Sequence, residues 1–182
     1  MEDLQTFSVF AGERCVVSGP LKAVLLATKE RFDRDPGERL LIFEDRTGRQ
    51  VDFDLRGTAE EVVARAVPGS VKAGPGRPKL GVVSREISLL PRHWEWLEQQ
   101  PNGISAAIRR LVEEARKRDP EEERARLARE AVFRFMTAIA GNLPGFEEAS
   151  RALFGKDPER FAELIGEWPE DIRTHLARLL RP

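Results

Sequence analysis

Residues 82–90 alternate and are rich in β-branched side chains, the pattern of a β-strand, yet the sequence on either side offers that strand no neighbour. Before it, residues 68–80 hold Gly69, Gly74, Pro75, Gly76 and Pro78 and read as a linker. After it come Pro91, a short helix over residues 93–100, a Pro101-Asn102-Gly103 turn, and a longer helix that Ser105 is expected to cap, running to about Arg118. A strand carries backbone donors and acceptors that must find partners. Two helices this short have too few apolar residues for a core of their own. Two solutions stay open. The strand pairs within its own chain, against a sheet formed elsewhere, or it pairs antiparallel with a second copy, and the four helices of the pair then share one core.

The flanking sequence is expected to form the rest of an α+β fold. Residues 1–67 read strand-turn-strand-helix twice. Thr6-Phe7-Ser8-Val9-Phe10 alternates, Ala11-Gly12-Glu13-Arg14 has hairpin composition, Cys15-Val16-Val17-Ser18 returns, and Pro20 opens a helix to about Phe32. Leu40-Leu41-Ile42-Phe43 is a buried-type strand, Asp45-Arg46-Thr47-Gly48 supplies a turn, and residues 50–55 alternate again. Thr58 followed by Glu61 forms a capping box for a helix to about Ala66. The two hairpins fit one antiparallel sheet with both helices on one face. Residues 119–182 read as a small helical bundle. Asp119-Pro120 and Asp157-Pro158 start two of its helices, Pro144 and Pro169 the others, and Trp168 is expected as a core anchor. Four parts are therefore expected: an α+β domain at 1–67, a basic linker at 68–80, the strand-helix-helix segment at 81–118 and the bundle at 119–182.

Charge narrows the choice of partner. The formal net charge is -1, so a protein that binds any polyanion through overall positive charge is excluded. From Lys72 to Arg92, however, five basic residues (Lys72, Arg77, Lys79, Arg85, Arg92) face one acid, Glu86. That local excess of +4 suits phosphate. From Asn142 onward six basic residues meet eight acidic ones, which suits a protein partner better than a nucleic acid. A single cysteine, Cys15, excludes an intramolecular disulfide, and its place in a strand reads as a small buried hydrophobe. The acidic Met1-Glu2-Asp3 start with no apolar run after it, and the shortness of every apolar run, point to a cytoplasmic protein with no membrane partner.

The order strand, Leu90-Pro91, short helix, Asn102-Gly103-Ile104-Ser105, longer helix resembles the ribbon-helix-helix family. That resemblance implies a homodimer whose paired strands enter the DNA major groove and whose second-helix N-termini hold phosphate. Residues at the DNA would be Ser84, Arg85, Glu86 and Ser88 on the strand and Asn102, Gly103 and Ser105 at the helix start. One strand face carries Val83, Arg85, Ile87 and Leu89; the other carries Ser84, Glu86, Ser88 and Leu90, with Ser84, Glu86 and Ser88 as the outward set, and Arg85 becomes a reader only if the register slips. Serine and glutamate can read base edges, but a central acid repels phosphate. Pro75-Gly76-Arg77-Pro78-Lys79 is similar to the Gly-Arg-Pro centre of an AT-hook, which implies Arg77, with Lys79 beside it, in a minor groove; a plain Pro/Gly hinge also explains it. Across nearly its full length the chain resembles a bacterial family of unknown function, through Arg77-Pro78-Lys79-Leu80-Gly81-Val82-Val83, Leu90-Pro91-Arg92-His93-Trp94-Glu95-Trp96-Leu97 and Leu143-Pro144-Gly145-Phe146-Glu147-Glu148. That family brings no activity with it.

No catalytic motif is legible. His93 and His175 are far apart, no Cys or His cluster has zinc spacing, and phosphate-loop and nucleophile-elbow patterns are missing. Asp52 and Asp54 share a strand face that suits a cation or plain solvation. His93 reads as packing or a helix cap. Trp94 and Trp96, two apart on a helix, cannot both enter one core, so one belongs at a surface or an interface. The expectation is thus a non-enzymatic, cofactor-free transcriptional regulator that dimerises and binds DNA. The other reading keeps the dimer and replaces DNA with a protein partner, met through the same segment or the C-terminal helices.

Overall fold

The computed structural model describes residues 5–66 and 83–181, and these fall into two compact units. The first joins the residues up to 66 with those from 124 onward; the second is residues 83–123.

The first unit is built on a four-stranded antiparallel sheet, β1 (Thr6–Ala11), β2 (Arg14–Pro20), β3 (Leu40–Glu44) and β4 (Arg49–Val51), in the order β2-β1-β3-β4. Each expected hairpin is present, and β1 joins them by pairing with β3, Val9 opposite Ile42. Alternation along the central strands sends side chains to two faces. Phe7, Val9 and Ile42 meet Val24 of α1 (Leu21–Arg34) on one face. α2 (Ala59–Ala66) packs beside α1, and its capping box forms as expected: the Thr58 N–H donates to Glu61 Oε2 at 2.8 Å and the Glu61 N–H to Thr58 Oγ1 at 3.3 Å.

The other face carries Phe10 and Phe43, both fully buried against the C-terminal helices. These are α5 (Pro120–Ile139), α6 (Phe146–Phe154), α7 (Pro158–Leu164) and α8 (Glu170–Leu179). Phe135 of α5 stands 5.0 Å from Phe10 and 4.9 Å from Phe43, ring centre to ring centre. Trp168 is buried as expected, and its indole N–H donates to the Pro144 carbonyl at 2.8 Å. The sequence suggests two domains, one for residues 1–67 and one for residues 119–182. The structure instead gives the sheet and the bundle one continuous core, because a sheet apolar on both faces needs a layer on each.

The fourth strand is shorter than its alternation over residues 50–55 suggests. β4 ends at Val51, and Phe53 continues inward to meet Phe7 edge-on at 6.3 Å. The chain leaves the sheet where Asp54 folds back onto Arg56, accepting from its guanidinium at 2.8 Å and from its backbone N–H at 3.1 Å. The Arg56 guanidinium holds the Asp54 carboxyl well below the usual carboxylate range. Asp54 is therefore committed to a turn, and Asp52 accepts from the Gln50 side chain at 3.3 Å. Among the described residues, no helix is long and apolar enough to cross a membrane.

The β3–β4 turn rests directly on α5. Gly48 has φ +64°, and a Cβ there would lie 1.9 Å from the Ala131 carbonyl oxygen, while Arg134 donates to the Thr47 carbonyl at 2.9 Å. Gly48→Ala must move backbone against backbone, and we expect it to cost about 3 kcal/mol or more in urea unfolding. A loss under about 1 kcal/mol would show that the turn yields easily.

Candidate functional site

The second unit contains the segment singled out in the sequence. Residues 83–90, expected as a strand, have no regular secondary structure, are largely exposed, and form no strand pairing among the described residues of this unit. Pro91 sits at the first position of α3 (Pro91–Glu98), after Leu90 in an extended conformation that suits a residue before proline. Asn102 (φ 67°) and Gly103 (φ 79°) are both left-handed and turn the chain into α4 (Ile104–Arg118). Such a turn favours asparagine and glycine, and that is the sequence there. The N-cap is Gly103, not the expected Ser105; Ser105 lies inside the first turn and makes no capping bond. The Gly103 carbonyl accepts from the N–H groups of Ala106 and Ala107, both at 3.1 Å.

The apolar faces of these elements converge without being covered. Among the described residues of this unit, Leu97 and Ala107 are the buried hydrophobics. Val83 is 65% exposed, Ile87 50%, Trp96 47% and Val112 50%, with Leu90 and Leu111 similar. Ile87, Leu89, His93, Trp96, Leu97, Ile108, Leu111 and Val112 line a groove of about 360 Å³. Of the two tryptophans, Trp96 is the one left at the surface, and Trp94 is half-buried.

The residues expected at DNA divide into three sets. Ser84, Arg85, Glu86 and Ser88 are exposed on the extended segment, and the Arg85 guanidinium donates to the Ser84 carbonyl at 3.1 Å. Asn102, Gly103 and Ser105 are brought together, exposed, at the start of α4. Arg77 and Lys79 lie outside the described residues. α4 itself is basic at its end, through Arg116, Lys117 and Arg118, and carries Arg109 and Arg110 midway. His93 as a groove-lining residue was not anticipated. The hint lay in its spacing from Trp96 and Leu97, three and four positions on along one helix face.

A second polar constellation lies in the first unit, between the sheet and α8. Ser8 of β1 is fully buried and donates to Asp45 Oδ1 at 2.7 Å; it accepts from Arg178 and sits 2.9 Å from Ser18 Oγ. Its single proton goes to Asp45, so Ser18 is the donor of that pair. Arg178 also reaches Asp45 Oδ2 at 3.2 Å and lies 2.9 Å from His175 Nδ1. A guanidinium only donates, so Nδ1 accepts and the His175 proton resides on Nε2. That nitrogen is 4.0 Å from Asp45 Oδ1 and has no hydrogen-bond partner. The serine is bonded to the carboxylate and not to the imidazole, so the arrangement lacks the serine–histidine contact of a nucleophile. It works as a clasp: it joins β1, the β3–β4 turn and α8, while the Cys15 N–H donates to Asp171 of α8 at 2.9 Å. Removing Arg178 would leave the buried Asp45 carboxylate with Ser8 as its hydrogen-bond donor, a loss of about 1–3 kcal/mol. Sequence alone could not find the clasp, because its partners lie up to 170 positions apart.

Burial, and then Arg178, push the His175 imidazole from its ordinary 6.5 down to about 4, against a smaller opposing pull from Asp45. Above pH 6.5 the folded and unfolded chains both hold it neutral. Between 6.5 and 4 the unfolded chain binds the proton and the folded chain does not. We therefore expect stability to fall as pH drops through that window, by at most about 1.4 kcal/mol per pH unit. Urea midpoints at pH 7, 6 and 5 test this. His175→Gln should flatten the profile, and an unchanged slope in the variant would contradict it.

The family described as "Uncharacterized protein conserved in bacteria (DUF2239)" matches residues 6–180, and the chain belongs to it. No curated protein and no solved structure matches the chain.

Proposed function

We propose that this member of an uncharacterised bacterial family is a homodimeric DNA-binding protein, a transcriptional regulator whose two copies pair through residues 83–118. The observation that carries the dimer is the uncovered apolar groove beside an unpaired extended segment. A strand with one apolar face is complementary to itself under two-fold symmetry, so a second copy supplies its hydrogen bonds and covers both grooves at once. Six large hydrophobics per copy are exposed there: Val83, Ile87, Leu90, Trp96, Leu111 and Val112. Covering these side chains would remove apolar surface from water, which favours association.

The support for DNA is electrostatic. The +4 excess from Lys72 to Arg92 and the exposed start of α4 at Asn102, Gly103 and Ser105 are suited to phosphate. Base reading is the weaker half, since Ser84, Glu86 and Ser88 are the outward set. Glu86 in that set is the observation that favours the second reading, a dimer that meets a protein in place of DNA.

Fluorescence anisotropy with genomic fragments tests the proposal. Binding should appear at low salt and weaken steeply as salt rises. Arg77→Ala with Lys79→Ala should lower the slope of log affinity against log salt by about 2. Ser88→Pro should abolish both dimer and binding. A dimer that binds no fragment at low salt would overturn the DNA reading, and a dimer that survives Ser88→Pro would overturn the ribbon.

A further inference from the structure

The chain has two asparagines, Asn102 and Asn142, and the first is followed by glycine. An asparagine side chain is open to attack from within when the backbone nitrogen of the next residue can reach its carbonyl carbon. Two things limit that attack: a side chain on the next residue, and hydrogen bonds that hold its nitrogen in place. At Asn102 both limits are weak. Gly103 has no side chain, and a Cβ placed there would meet nothing within 4 Å. Its N–H donates to the Gln100 carbonyl at 3.4 Å, a long bond. Asn102 and Gly103 are both exposed to water. Asn142 has the opposite surroundings. Leu143 follows it, half-buried against the core of the first unit, and the Leu143 N–H donates to the Ala140 carbonyl at 2.9 Å.

We infer that Asn102 is a site of spontaneous amide loss, which leaves a carboxylate at the start of α4. The Gly103 nitrogen bonds to the Asn102 side-chain carbonyl carbon and gives its proton to water. The bond from that carbon to the Asn102 amide nitrogen breaks, and ammonia leaves with a proton taken from water. A five-membered cyclic imide remains. Water then adds to either of its carbonyl carbons and reopens the ring, as aspartate or as isoaspartate. In sum, water is consumed and ammonia released. Resting on the DNA reading above, the new carboxylate stands beside Gly103 and Ser105 and repels the phosphate they would hold. It leaves α4 folded, because a negative charge beside a helix N-terminus is favourable. The turn thus carries a one-way charge change that weakens phosphate binding with time.

Peptide mapping by mass spectrometry reads the chemistry, on the full chain held folded at mildly alkaline pH and sampled over days. The peptide that contains Asn102 should be lost to its aspartate and isoaspartate forms, while the Asn142 peptide stays intact. Asn102→Gln should block the conversion, since glutamine must close a larger ring. Equal conversion at the two asparagines, or none at Asn102, overturns the assignment. Asn102→Asp should keep the wild-type urea midpoint and bind genomic fragments at low salt about tenfold more weakly. Undiminished affinity in Asn102→Asp overturns the effect on phosphate and leaves the site standing. A wild-type chain that binds no fragment overturns the DNA reading, and the peptide map then still decides the site.

Discussion

The described residues of the second unit leave most of their large apolar side chains exposed. Leu97 and Ala107 are its buried hydrophobics among the described residues, while Ile87, Trp96, Leu111 and Val112 are at least two-fifths exposed around a common groove. An amphipathic helix such as α4 gains its stability from the surface its apolar stripe covers, far more than from propensity. α4 is fifteen residues long and exposed throughout its last eight. The proposed dimer follows from that demand for a covering surface. The extended segment beside it has the same need in its backbone groups.

The first unit shows what a met demand looks like in the same chain. Its sheet is apolar on both faces, and each face has a layer of helices. Phe10, Phe43 and Phe135 interlock at the centre, and the His175 ring joins them at 4.3 Å from Phe135. The polar groups this burial creates are held as a set: Ser8, Asp45 and Arg178 answer one another, and the imidazole takes its tautomer from the arginine. The set ties α8 to β1 and to the β3–β4 turn, while Asp45 Oδ2 and His175 Nε2 remain without a hydrogen-bond partner among the described residues.

Much of the fold is legible in the sequence, for local reasons. The Thr58 and Glu61 capping box, the Asp157 cap that accepts from the Arg160 N–H, and proline at the first position of α3 and α7 are all set by neighbours a few residues away. The strand pairs follow from alternation. The union of sheet and bundle into one core depends on contacts more than a hundred residues apart, and local pattern does not carry those. One clue was present: Leu40-Leu41-Ile42-Phe43 is a continuous apolar run, which implies burial on both faces and hence a second helical layer. The Ser105 cap was misplaced by two residues because a left-handed Asn102-Gly103 pair can turn into a helix without a side-chain cap. The candidate site was legible as an alternating segment ahead of two short helices; the groove and the place of His93 in it needed three-dimensional packing to appear.

Amide hydrogen exchange at residues 83–90, measured at high protein concentration and again after dilution, tests the central claim most directly. An antiparallel pair of these segments points every second N–H at the partner strand. The account predicts slow exchange at alternate amides of this stretch in concentrated protein, lost on dilution, while the amides of β1 and β3 stay protected throughout. Uniformly fast exchange across residues 83–90 at every concentration would contradict it.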